Sequence, residues 1–241
     1  MTELEKLRNI NIVLEHELAE LKKTAIKLIR QTSLSPDKSA DTIILDTETT
    51  GLSEIDDELL QVSIIDTAGN VLYNSYIKPL IHRTWKEAEA VNHISPKMVA
   101  YAPTIYEEMP KINAILRNAK TIIGYNTDFD LNFLYFSGGI SVKDKEIVDV
   151  MELFAPICGE WNDYYGTFKW KSLGVAAKYF GYDWNSRPEG AHNSLADCYA
   201  TLFVYDKIIN PEKPELIENK QLTDAIEKVF NERFEREWKS R

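Results

Sequence analysis

The sequence predicts an α/β fold, a mixed β-sheet flanked by helices, over residues 41–210. Three observations predict it. Apolar runs of strand length alternate with longer segments of helical period, the pattern of a sheet with helices packed on its faces. The stretch ELLQVSIIDTAGNVLYNSYIKPL turns back on itself around Ala68-Gly69-Asn70, so part of the sheet is an antiparallel hairpin. Carboxylates stand at the ends of several apolar elements, which puts the candidate chemistry at the edge of the sheet.

Residues 1–31 come first and are charged and leucine-punctuated. Leu7, Leu14, Leu21 and Leu28 recur every seven residues, with Leu4, Asn11, Leu18 and Ala25 at the complementary positions. Leucine at d with one Asn at a favours a parallel two-stranded coiled coil, because two Asn side chains bond each other only in that register. Glu3 would then face Arg8 of a partner chain, and Glu17 would face Lys22. Against this, Ala25 is weak and Ile10, Ile12 and Ile29 widen the apolar face. A helix packed on its own domain or on another protein therefore stays open beside the homodimer. The breaker-rich QTSLSPDKSAD ends the region.

In the middle region DTIILDTETTGL reads as the first strand and the hairpin follows. IYEEMPKINAILRNA is a helix leading to the short strand TIIGYN, and DFDLNFLYF starts another helix. EIVDVMELF is a further strand or a strand–helix junction, and WKSLGVAAKYFG is helical up to Gly181, a C-terminal stop. NSLADCYATLFVYDKII is a long helix with Leu195, Tyr199, Leu202 and Val204 toward the core. After Pro211 and Pro214, residues 211–241 carry a charged amphipathic helix with Phe230, Phe234 and Trp238 on one face, a stripe for its own domain or for a partner.

Bulk properties bound the function. A chain of 241 residues, 44% hydrophobic and 27% charged, builds an ample core and is not disordered throughout. Its formal charge of −10 argues against nonspecific coating of nucleic acid, so any such contact is local. Cys158 and Cys198 have neither disulfide density nor metal-ligand spacing, and read as reduced and structural. The N-terminal residues lack the apolar core of a signal peptide, and no apolar run approaches the ~20 residues of a membrane span. A soluble, cytoplasmic protein is expected.

The chemistry concentrates in carboxylates. Along a strand, Asp46 and Glu48 share one face while Thr47 takes the other. Like charges so placed repel unless a cation lies between them. Asp130 opens the helix after TIIGYN, where capping is the ordinary role for an Asp. Asp197 lies inside a helix, where capping does not apply. His192, five residues earlier, would project ~140° away on a continuous helix. It can share a site with Asp197 only from the preceding loop RPEGAHNS.

The segments DTETTG, NTDFD and HNSLAD resemble, in order and approximate spacing, the three motifs of the DEDDh exonucleases, the proofreading epsilon-type group. The resemblance covers roughly residues 42–209 and implies a ribonuclease H-like sheet. By position it implies that Asp46, Glu48, Asp130 and Asp197 bind two divalent ions, Mg²⁺ or Mn²⁺. Glu48 would also act in catalysis, and His192 would be the general base. VNHIS resembles the segment that places a histidine, here His93, near the terminal nucleotide. Thr49, Leu52, Asn126 and Phe129, with Tyr125, are implied members of the same pocket; core packing is the competing reading for Leu52 and Phe129. Gly51 would let the backbone approach that nucleotide. Tyr125 stands where the group usually has His, and Asp128 is a rival to Asp130.

The resemblance implies a metal-dependent 3'→5' exonuclease acting on single-stranded or frayed ends, DNA favoured over RNA, and releasing nucleoside 5'-monophosphates in proofreading or repair. A noncatalytic nuclease-like scaffold in a replication or repair complex is the alternative of a different class. The aromatic run WNDYYGTFKW could stack bases, but such density is commonly core or loop packing and is left outside the site.

Overall fold

The computed structural model describes residues 3–31, 38–186 and 193–211. The C-terminal helix expected after Pro214, and His192, lie outside these residues. A five-stranded sheet is built from β1 (Thr42–Thr49), β2 (Leu59–Asp66), β3 (Val71–Tyr76), β4 (Thr121–Gly124) and β5 (Glu146–Asp149), in the order β3-β2-β1-β4-β5. The β1–β2 and β2–β3 pairs are antiparallel, while β4 and β5 run parallel to β1.

Connections follow from the sequence. Asp66 accepts from Ala68 N at 2.9 Å and Asn70 N at 2.8 Å, and Gly69 has φ +80°, which closes the β2–β3 hairpin. Parallel strands need crossovers. These are α4 (Ile105–Asn118), which follows the short helices α2 (Lys86–Asn92) and α3 (Pro96–Val99), and α5 (Thr127–Phe136) between β4 and β5. Beyond β5 come α6 (Val150–Cys158), the small hairpin β6 (Trp161–Asn162) and β7 (Thr167–Phe168), α7 (Leu173–Phe180) and α8 (Ser194–Ile209). Gly181, at φ +80°, ends α7.

Each face of the sheet has its own core. Ile43 and Leu45 pack with Met109, Ile112 and Leu116 of α4 and with Phe133 and Leu134 of α5. Ile44, Ile65 and Ile123 pack with Phe154 of α6, Ala176 and Ala177 of α7, and Leu195, Cys198 and Val204 of α8. Strand alternation therefore sends Asp46 and Glu48 to the α8 side with Ile44, and Thr47 to the α5 side.

The first helix, α1 (Glu3–Gln31), is divided in its packing. Ile29 is buried in the α4–α5 core. Arg30 donates to Gly139 O at 2.9 Å and Tyr135 O at 2.6 Å, and its guanidinium lies 4.2 Å from the Tyr135 ring centroid. Toward the start, Leu7, Leu14 and Leu18 are each 56% exposed and Leu21 68%. Ile29 thus belongs to the domain core rather than to a widened outer face. Among the described residues, no helix is long and apolar enough to cross a membrane.

Candidate active site

Asp46, Glu48 and Asp197 converge, each offering a carboxylate oxygen, with these oxygens all within 4.8 Å of one another. The two strand residues meet because alternation puts both on the α8 face. Asp197 joins them because the start of α8 is locked to the sheet. Asn193 caps the helix, accepting from Leu195 N at 3.1 Å. Ser194 Oγ lies 2.7 Å from Ser63 Oγ, and Ser194 N donates to Gln61 Oε1 at 3.3 Å. Ser63 and Gln61 are the β2 residues opposite Asp46 and Glu48 in register. Cys198 is a free thiol whose Sγ donates to Ser63 O at 3.5 Å and reaches Ile44 O at 3.8 Å. It pins the next turn of the helix.

Asp130 enters from the other side. Pairing of β1 with β4 covers only Thr42 to Ile44, so the second half of β1 has an edge that β4 does not fill. There Thr47 N donates to Asp130 Oδ1 at 2.9 Å and Thr47 Oγ1 to the same oxygen at 2.6 Å. A carboxylate thus completes what the ladder leaves open. Asp130 does not cap α5. The cap position is Asn126, at φ +63°, and Asp149 accepts from Asn126 N and Thr127 N, both at 3.0 Å. With those donors satisfied from β5, the buried Asp130 is left for the site, whereas Asp128 is exposed. Gly124 makes the tight turn into α5, since a Cβ there would lie 2.8 Å from Thr127 Oγ1.

The electrostatics match this crowding. Burial, then the charges of Asp130, Asp197 and Glu48, raises the Asp46 carboxyl well above its usual range. Burial, then Asp197 and Asp130, pushes Glu48 up to about 8, with a hydrogen bond from Asn92 opposing. Burial raises Asp130 to about 8 against the two Thr47 donors. Such groups hold protons or share a cation. Among the described residues the cluster holds carboxylates only, the hard oxygen donors that suit Mg²⁺, Mn²⁺ or Ca²⁺. The donor set fits a divalent metal.

The other expected site residues divide. Leu52 is 84% exposed, so core packing does not describe it. His93, at φ +59°, and Asn126 are exposed. Phe129 is half-buried, its ring 4.8 Å from that of Phe133, so its packing role is real. Thr49 is buried, with its hydroxyl donating to Gly51 O at 2.6 Å. A Cβ at Gly51 would collide with the Asp57 carboxylate, which is held by Ser53 N and Thr50 Oγ1, both at 3.0 Å. Sequence reasoning missed Asn92, which is buried beside Glu48 and donates to Thr49 O at 3.1 Å. Its only signal was its place before His93 in VNHIS.

A mixed sheet of this order flanked by helices is the ribonuclease H-like fold. The family model RNase_T, described as Exonuclease, matches residues 43–205, and the chain belongs to this family: it is a 3'→5' exonuclease. It is 32% identical over 177 residues to the uncharacterized exonuclease CP81 of Escherichia phage 186, covering 70% of this chain and 88% of that one. It is 25% identical over 179 residues to the PolC-type DNA polymerase III of Staphylococcus saprophyticus, covering 71% of this chain but only 12% of the polymerase. Among solved structures, E. coli exonuclease I in complex with a dA16 oligonucleotide aligns with TM-score 0.56 and 20% identity, over 73% of this chain and 42% of that one. Exonuclease X with 5' overhanging duplex DNA aligns with TM-score 0.50 and 19% identity, over 73% and 96%.

Proposed function

We propose that the chain removes nucleoside 5'-monophosphates from single-stranded or frayed 3' ends of DNA, using two divalent ions, Mg²⁺ or Mn²⁺. The observation that carries this reading is the convergence of Asp46, Glu48 and Asp197 with Asp130 fixed alongside by Thr47. Asp46, Glu48, Asp130 and Asp197 would hold the ions, which would polarise the phosphodiester and stabilise charge on the attacking and leaving oxygens. Glu48 orients the attacking water from the strand end. His192 accepts its proton, the task of an imidazole that titrates near ~6.5. Leu52, His93 and Asn126, which are exposed, would engage the terminal nucleotide, with Phe129 and Thr49 beside them.

A panel of 3'-labelled single-stranded DNA, duplex DNA and RNA, incubated with Mg²⁺ or Mn²⁺ and with EDTA, tests the reading. Stepwise loss of label from single-stranded DNA, fastest of the three and abolished by EDTA, is expected. Undiminished cutting in EDTA, or RNA degraded faster than DNA, would contradict it. A folded protein that leaves all three intact would favour the scaffold.

We also propose that α1 forms a parallel homodimer. The support is the exposed leucine row with Asn11 in its register, whose side chain in one copy bonds Glu15 of the same helix at 2.6 Å. Light scattering should give a dimer for the wild type and a monomer for Leu14→Glu. A wild-type monomer at micromolar concentration would overturn the proposal.

A further inference from the structure

The aromatic segment is not core. Residues 161–168 form the β6–β7 hairpin with Tyr164 and Tyr165 in its turn, and the large rings are exposed: Trp161 is 48% exposed, Tyr164 87%, Tyr165 73%, and Trp170, just past the hairpin, 62%. Exposing so much aromatic surface on one small ribbon costs solvation with no internal return.

Three further observations say what covers it. The segment that leaves the hairpin is tied to the turn before α5, since Tyr125, the residue before Asn126, donates its hydroxyl to Lys171 O at 2.6 Å, three residues past the end of β7. Its rings are braced in edge-on pairs, Trp161 with Phe168 (5.1 Å, 84°) and Tyr164 with Tyr165 (4.7 Å, 88°), an arrangement that fixes one ring by its edge and leaves the flat face of its neighbour for another π system. In an acidic chain this ribbon is charge-balanced. Glu160 and Asp163 stand against Lys169 and Lys171, and both lysines grip Glu160, so a polyanion meets no local repulsion.

We propose that the β6–β7 hairpin is a stacking platform for the bases of single-stranded nucleic acid upstream of the scissile nucleotide. Aromatic side chains hold successive bases without sequence preference, because every base has a π face. The inference rests on the exonuclease reading above and extends its site from one nucleotide to a strand.

The test compares the wild type with a Trp161→Ala, Tyr164→Ala, Tyr165→Ala triple variant on two substrates. One is a 20-nucleotide single strand. The other is the nitrophenyl ester of thymidine 5'-monophosphate, which carries a single nucleotide. The triple variant should show KM for the strand raised at least about tenfold, with kcat/KM for the ester unchanged. A second variant with Phe at the same three positions should restore the wild-type KM. An unchanged strand KM in the folded triple variant, or equal loss on both substrates, overturns the platform. A wild type inactive on both substrates would refute the exonuclease reading instead. The platform is then judged by titrating tryptophan fluorescence with oligo(dT) in EDTA. Saturable quenching in the wild type that is weakened in the triple variant is expected; no quenching in the wild type overturns the platform.

Discussion

Asp46→Asn is expected to lower hydrolysis of a 3'-labelled single strand by more than the ~10–100-fold typical of losing a group that merely supports a metal ligand. The substitution keeps size and hydrogen-bonding shape but removes the charge of a buried carboxylate on which Asp130, Asp197 and Glu48 all act. A site of hard oxygen donors depends on that charge to hold a divalent ion. The far-UV spectrum and oligonucleotide binding in EDTA should stay as in the wild type, since neither uses the ion. Single-turnover rates in Mg²⁺ and in Mn²⁺ decide the matter. A variant that cuts within about threefold of wild type would remove Asp46 from the chemistry and with it the two-ion reading.

The second large effect concerns stability. Glu48 is raised from an ordinary 4.5 to about 8 and Asp130 from 3.8 to about 8, both first by burial. In the unfolded chain these groups ionise near ~4. Between ~4 and ~8 the metal-free folded protein therefore holds more protons than the unfolded one, and linkage makes its stability fall as pH rises through that window. A divalent ion held by the deprotonated cluster would stabilise the fold more at pH 9 than at pH 6. Thermal melts with EDTA and with Mn²⁺ at both values are the measurement, with about 2–4 °C expected per kcal/mol in a chain of this size. Asp46→Asn should melt higher than wild type at pH 9 in EDTA, because it relieves repulsion. Metal-induced shifts equal at the two pH values, or a variant that melts lower, would mean that the carboxylates are not crowded in solution.

Much of this architecture could be read from residue order. The strand through Asp46 and Glu48 was legible because a period of two leaves no choice about which residues share a face. The lower edge of α8 was legible because apolar spacing continues through Asp197 where a cap could not. Asp130 was harder. An Asp near a helix start looks like a cap, and nothing local says that Asp149, from a different strand, already satisfies those N–H groups. Thr47 was legible in direction but not in use, since its free N–H exists only because β4 stops pairing after Ile44. At Gly51 nothing local says that Asp57, further along the loop, leaves no room for a Cβ. The aromatic hairpin was opaque because two-residue strands are too short to show any period. Whether a dense aromatic run is inside or outside depends on what the rest of the fold lays over it.

The thiol of Cys198 touches a backbone carbonyl 154 positions earlier in the chain, and the helix that carries it also brings the third carboxylate. A polypeptide emerging from the ribosome therefore builds its first strands long before it owns the piece that makes them dangerous.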